Sequence, residues 1–287
     1  MIKQINILLE LTKFRISLFS SLSAGAGFTL AKQEITPEIL VPTLGVLFLA
    51  CGSCALNQYQ ERKLDKLMDR TRGRPLPSGK LSPGVTRLIS LGLICIGSSI
   101  LVFGTDFVPL VLGLSAILWY NGIYTYLKRK TAFATIPGAL IGTIPPAIGW
   151  VSGEGSLVDP RIWAVACFFF IWQVSHFWVL LLNFGKDYEK AGFPSLTRIF
   201  SSAQLRRMTF VWVFATAVTC VIVPLFGVVE SQAVNGSLFA AGFWLVWKIS
   251  RILRANNRGF PFQFNFKVIN TYILLVIFLF AMDTLFR

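Results

Sequence analysis

A chain of 287 residues that is 54% hydrophobic and only 14% charged, with a mean hydropathy of +0.66, is not a soluble domain. It reads as a polytopic membrane protein. The formal charge of +14 would suggest nucleic acid as the partner of a soluble protein. In this composition the partner is the lipid bilayer, not nucleic acid, and the question becomes which side of it holds the bases.

From the N-terminus, Met1 to Phe14 is mildly amphipathic and lacks a cleavable-signal pattern, and no Arg/Ser-rich transit segment follows. The expected location is therefore a bacterial cytoplasmic (inner) membrane. Apolar runs long enough to span, roughly 17 to 25 residues each, fall at 13–31, 38–57, 84–103, 107–126, 133–151, 162–183, 208–229, 235–253 and 268–286. The prediction is an all-α bundle of about nine transmembrane helices, a single domain over 1–287, around a central cavity that opens to the cytoplasmic side. Every Lys and Arg except Lys32, Arg161 and Arg287 falls at the N-terminus or in the connections after spans 2, 4, 6 and 8. The positive-inside rule makes that side, and the N-terminus, cytoplasmic.

The connection after span 2 runs Asn57-Gln-Tyr-Gln-Glu61-Arg62-Lys63-Leu-Asp65, then Met68-Asp69-Arg70-Thr71 and Arg74-Pro75-Leu76-Pro77. Asn57, Glu61 and Asp65 recur at i, i+4 and i+8, so on a helix each step drifts about 40° and the three share a face. An amide oxygen and two carboxylates are hard donors suited to Mg2+, which is commonly held by carboxylates together with substrate phosphates. The alternative for such a cluster is a solvated helix end laced with i,i+4 ion pairs. Its position at a membrane boundary favours a site.

At the end of span 4, Tyr120, Tyr124 and Lys128 share the same i, i+4, i+8 spacing, and Lys128-Arg129-Lys130 follows. Those bases are either phosphate contacts or a topogenic stop signal. Pro137-Gly138 and Pro145-Pro146 interrupt span 5 and predict a kink there. Span 6 carries the one histidine, His176, between Trp172 and Trp178, and ends in Asn183-Phe-Gly-Lys186-Asp187. On a continuous helix His176, Asn183 and Asp187 fall within about 20° of one face. His176 lies about 16 Å along the axis from Asp187, too far to share its coordination shell. The five cysteines, at 51, 54, 95, 167 and 220, all lie in apolar runs and read as small hydrophobes.

The Asn-xxx-Glu-xxx-Asp string with the Arg74-Pro-Leu-Pro run resembles the first acidic motif of the UbiA-type intramembrane prenyltransferases. Glu61 stands where that family usually carries Asp. The His-Phe-Trp and Lys-Asp-Tyr-xx-Ala-Gly-xx-Pro strings, Leu11-Thr-Lys13-Phe-Arg15, and the stretch from Lys128 to Trp150 extend the resemblance over spans 1 to 6, toward the family's haem-farnesylating branch. Ser175 replaces the Pro that commonly precedes the histidine there.

The resemblance implies Mg2+-dependent transfer of a farnesyl group from farnesyl diphosphate to a vinyl group of haem B, with water completing a hydroxyethylfarnesyl product. It implies Asn57, Glu61, Asp65, Asn183 and Asp187 as metal ligands. The substrate contacts are Arg62, Arg70, Arg74, Tyr124, Lys128, Arg129 and Lys186, and Asp65, Asp187, Lys128, Arg129 and His176 carry the chemistry. Haem-handling or oxidase-assembly proteins are the expected protein partners. Two other readings stand beside it: a related prenyltransferase with an aromatic acceptor such as 4-hydroxybenzoate or a chlorophyllide, and a secondary transporter, which would set its site at midplane on broken helices.

Overall fold

The computed structural model describes residues 2–254 and 262–285, and within them the chain is helical with no strand. Arg258 and Arg287, both part of the charge asymmetry above, lie outside the described residues. The helices are α1 Ile2–Leu11, α2 Phe14–Lys32, α3 Leu40–Asp65, α4 Pro83–Gly104 and α5 Phe107–Leu127. Two short pieces follow, α6 Thr135–Gly138 and α7 Ile144–Ser152. The second half holds α8 Pro160–Lys190, α9 Ser202–Ile222, α10 Gln232–Ile249 and α11 Phe262–Met282.

Among the described residues six helices are long and apolar enough to cross a membrane, formed around α3, α4, α5, α8, α9 and α11. The nine expected spans divide accordingly. Helix α2 is diluted by Arg15 and Ser17, Ser20, Ser21 and Ser23, and α10 by Gln232, Asn235 and Lys248. The stretch 133–151 is not one helix. Its prolines remove backbone donors, so it runs as α6, a 3₁₀ turn over Ala139–Thr143, and α7.

Outward faces carry large exposed apolar side chains, among them Leu88, Phe103, Leu118, Phe239 and Phe243, which in a polytopic chain face lipid. Inward faces pack through small residues. A Cβ on Gly149 of α7 would lie 1.8 Å from the Ala24 carbonyl oxygen of α2, and one on Gly97 of α4 would lie 2.8 Å from the Gly45 carbonyl oxygen of α3. Such backbone approach is how helices gain contact where lipid offers no hydrophobic drive. Helix α8 meets α9 through a 2.8 Å hydroxyl pair, Ser175 with Thr216. Helix α11 packs on α8, α10 and α2 and so joins the end of the chain to its beginning, with Phe168, Tyr272 and Phe280 fully buried between them.

Gly149→Ala should destabilise by about 1–3 kcal/mol, since the methyl group must displace backbone. Gly92→Ala, with nothing within 4 Å of the added carbon, should slightly raise the unfolding temperature, since Ala is favoured over Gly in a helix interior by about 0.5–1 kcal/mol. Thermal unfolding of the two variants in one lipid checks the pair.

Candidate active site

The last three turns of α3 bury Asn57, Glu61 and Asp65 to 1%, 5% and 1% exposure. Polar groups so buried need partners, and a base stands at each. Lys13 Nζ donates to Asn57 Oδ1 at 2.9 Å. Lys128 Nζ lies 2.6 and 2.8 Å from the two Glu61 oxygens. Arg74 Nη1 lies 3.0 and 2.9 Å from the two Asp65 oxygens. Arg74 comes back to its acid because the chain turns sharply after α3, where Thr71 Oγ1 closes on the Asp65 carbonyl at 2.8 Å.

Helix α5 presents its residues through a widened turn. From Leu118 to Tyr124 the backbone is π-helical, and the Thr125 N–H reaches back to the Tyr120 carbonyl. Such turns recur at functional sites because they shift side chains off the ordinary helical register. Here the Tyr120 and Tyr124 rings stack at 5.8 Å, and Lys128 Nζ lies 5.4 Å from the Tyr124 ring centre. Buried Asn121 fixes the turn to α3: its amide donates to the Ser53 carbonyl and to Gln60 Oε1, both at 3.1 Å, and accepts from Ser53 Oγ at 2.6 Å. Gln60 Nε2 answers with a bond to the Asn121 carbonyl at 3.0 Å, and Asn57 Nδ2 donates to Thr125 Oγ1 at 3.1 Å. The register of the acids against Lys128 and Tyr124 is thus set by a fully paired polar network.

The segment after α3 meets the end of α8. Arg70 Nη2 donates to the Tyr188 hydroxyl at 3.2 Å, and its guanidinium lies over the Phe184 ring at 4.6 Å. Lys190 Nζ bonds Asp69 at 2.8 Å, which, with Arg72 adding to it, holds the Asp69 carboxyl below its ordinary value. Met68, Ala191 and Phe193 are buried together beneath. Asp187 is 17% exposed, with Lys190 Nζ 3.9 Å away. The two acidic helix ends therefore lie at the same end of the bundle.

Other predicted residues lie elsewhere. Asn183 and Lys186 are exposed on α8, so Asn183 does not join the buried donors as the one-face reading expects. Arg62 folds back on its own turn, donating to the Tyr59 carbonyl at 2.7 Å, and Arg129 donates to the Gln60 carbonyl at 3.3 Å. Both line a cleft of about 310 Å³ with Lys63, Ala191 and Phe193. Among the described residues no three of His, Cys, Asp and Glu stand together as a ready-made metal cluster. His176 sits deeper on α8, its ring 5.3 Å from Trp172, 5.1 Å from Phe266 and 6.0 Å from Phe177. Asn270 lies beside it, and its Nδ1 is buried without a hydrogen-bond partner. Phe177 in turn lies 6.3 Å from Tyr124, so an unbroken aromatic series runs from the buried acids to the histidine.

Sequence reasoning missed the contact made by Lys13 and the network of Gln60, Asn121 and Thr125. Asn121 had a visible signal, as an amide inside an apolar span. Lys13 looked like one more topogenic base.

Residues 18–280 match the UbiA prenyltransferase family. The chain is 41% identical over 229 residues to a protoheme IX farnesyltransferase of Geobacter sulfurreducens, covering 78% of this chain and 83% of that one. It is 31% identical over 277 residues to a protoheme IX farnesyltransferase of Oleidesulfovibrio alaskensis, covering 96% and 95%. A UbiA homolog from Archaeoglobus fulgidus, solved bound to GPP and Mg2+, shares the fold at a TM-score of 0.73 and 13% identity over 96% of this chain and 99% of that one.

Proposed function

Since the chain belongs to the UbiA prenyltransferase family, we propose that it transfers a farnesyl group from farnesyl diphosphate to a vinyl group of protoheme IX, the activity named for its relatives. The observation that carries this reading is the buried row Asn57, Glu61 and Asp65, each held by a base, at the foot of an aromatic-lined helical bundle.

The donors fit Mg2+. They are hard oxygens with neither sulfur nor imidazole among them, at a burial that demands a cation, and side-chain cations stand there now. Asn57, Glu61 and Asp65 would hold the metal, with Asp187 completing the set from α8. The ion supplies charge stabilisation for the departing diphosphate. The chain's own residues do the rest. Lys128, Arg74 and Lys13 bring positive charge to the diphosphate oxygens as the allylic C–O bond breaks. The Tyr124 and Phe177 rings present π faces to the allylic cation. The apolar walls keep water from it until the acceptor attacks. Arg70 serves the substrate from the segment that spans α3 and α8.

His176 belongs to the acceptor side. A partly buried imidazole packed among aromatic rings, its Nδ1 without a partner, suits a flat macrocycle, either as a ligand to its iron or as a hydrogen-bond partner. The membrane is the bacterial cytoplasmic one, with the acidic end and the N-terminus on the cytoplasmic side, where haem-handling or oxidase-assembly proteins would meet the product.

The test is product mass from purified protein in lipid given farnesyl diphosphate, Mg2+ and either protoheme IX or aromatic acids. A farnesylated aromatic acid with no haem product would move the chain to the aromatic-acceptor branch. His176→Ala should lower protoheme binding at least about tenfold, the loss of one good polar contact, with farnesyl diphosphate binding unchanged. Equal loss of both substrates would return His176 to a packing role.

A further inference from the structure

Lys13 is built into the site at a conformational cost. It stands between α1 and α2 at φ 46° and ψ 48°, the left-handed region that residues with a Cβ rarely adopt and that persists where surrounding structure enforces it. The surroundings here do so. Fully buried Gln58 donates its amide to the Glu10 and Leu11 carbonyls at 2.8 and 2.9 Å. Ser17 Oγ donates to the Thr12 carbonyl at 2.9 Å, and Leu11 packs with Ala55 and Leu76. The result of this bracing is that the Lys13 ammonium reaches Asn57 Oδ1 at 2.9 Å and the Tyr120 hydroxyl at 3.5 Å.

With Lys13 counted, every side chain of the row has an oxygen held by a cation of the chain: Lys13 on Asn57, Lys128 on Glu61, Arg74 on Asp65. Three cations face the row's two carboxylates, and Asp187 brings the proposed set to formal balance. A bare divalent ion approaching this row meets no net attraction and oxygens already occupied. A diphosphate brings several negative charges, makes the site net negative and offers the three bases better acceptors than the ones they leave.

We infer that Lys13 occupies the amide oxygen of Asn57 until substrate arrives and then turns to the diphosphate, so that divalent metal and diphosphate bind together and the metal does not bind ahead of it. This rests on the metal-binding role proposed above. Because coupling between two ligands is reciprocal, each should tighten the other by the same factor.

The experiment follows protein-bound Mn2+ by electron paramagnetic resonance. Full-length protein in lipid nanodiscs is titrated with and without inorganic diphosphate, corrected for Mn2+–diphosphate complex in solution. Wild type should bind Mn2+ at least about tenfold more tightly with diphosphate, within the usual range of inter-site coupling. Lys13→Met should bind Mn2+ alone severalfold more tightly than wild type and bind diphosphate more weakly, while Lys13→Arg should behave as wild type. Equal Mn2+ affinity with and without diphosphate in wild type overturns the inference and leaves the metal site standing. That comparison needs no variant, so a folding defect in Lys13→Met cannot shield it. No gain for a normally folded Lys13→Met also overturns it. Failure of Mn2+ to bind even with diphosphate removes the metal reading and this inference together.

Discussion

Asp65→Asn is expected to lower kcat by at least about 10²-fold, the scale on which removal of a single charge-stabilising group acts at a reacting centre. Asp65 is the most committed of the row: nearly fully buried, bound by Arg74 through both oxygens, and sited where the chain turns out of α3. The substitution keeps shape and one acceptor oxygen but removes the negative charge. Arg74 therefore loses a charge-assisted partner, at a cost of about 1.5–3 kcal/mol, lessened because its side chain keeps 21% of its exposure. Turnover at saturating Mg2+ and both substrates, read beside thermal unfolding, checks it. An Asp65→Asn variant that turns over at the wild-type rate in limiting Mg2+ would take this carboxylate out of the site. Asp187→Asn should fall in the same direction by less, since Asp187 is more exposed and its base stands farther off.

How much of this was written in the sequence follows from which patterns are local. Asn57, Glu61 and Asp65 were legible because an unbroken helix turns i, i+4, i+8 spacing directly into a shared face, and α3 is unbroken to Asp65. The same rule does not by itself bury Asn183, which is exposed. Its helix is also unbroken, but which sector of α8 faces inward is decided by neighbours such as Thr216 and Phe266, which lie far along the chain. The prolines in 133–151 announced a break, and one is there. Nothing with a period of 3.6 announces a π turn, so the stacking of Tyr120 on Tyr124 and the embedding of Asn121 became visible only in three dimensions. The bases show the limit most clearly. Their number was legible, their pairing was not: Arg74 serves Asp65 through a loop, Lys13 serves Asn57 through a left-handed residue, and Arg62, adjacent to Glu61 in sequence, folds back on its own turn. Six of the nine expected spans meet a length-and-apolarity criterion among the described residues, and the rest differ for a related reason. A helix lining a polar interior, such as α2 with its buried Ser17, Ser21 and Ser23, carries fewer apolar residues than one wrapped by lipid.

Lys128→Ala is expected to raise the KM for farnesyl diphosphate by about 10- to 100-fold while the KM for protoheme changes less than about twofold. The magnitude is one charge-assisted contact, about 1.5–3 kcal/mol, read through the tenfold per 1.4 kcal/mol of binding equilibria. The selectivity comes from position. Lys128 Nζ sits on Glu61, 5.4 Å from the Tyr124 ring and 5.9 Å from the Phe193 ring, at the acidic end of the aromatic series whose far end is His176. Removing it also leaves Glu61 buried without its base, so part of any loss would come from the carboxylate and not from the diphosphate contact. Glu61→Gln in the Lys128→Ala background removes the stranded charge, so the thermal stability it recovers measures the carboxylate's share; because Glu61 is also a proposed metal ligand, the diphosphate contact is read from Lys128→Arg instead. Lys128→Arg should recover much of the affinity, since charge and donors are retained. A topogenic lysine would behave differently throughout, lowering the amount of correctly inserted protein with no change in either KM.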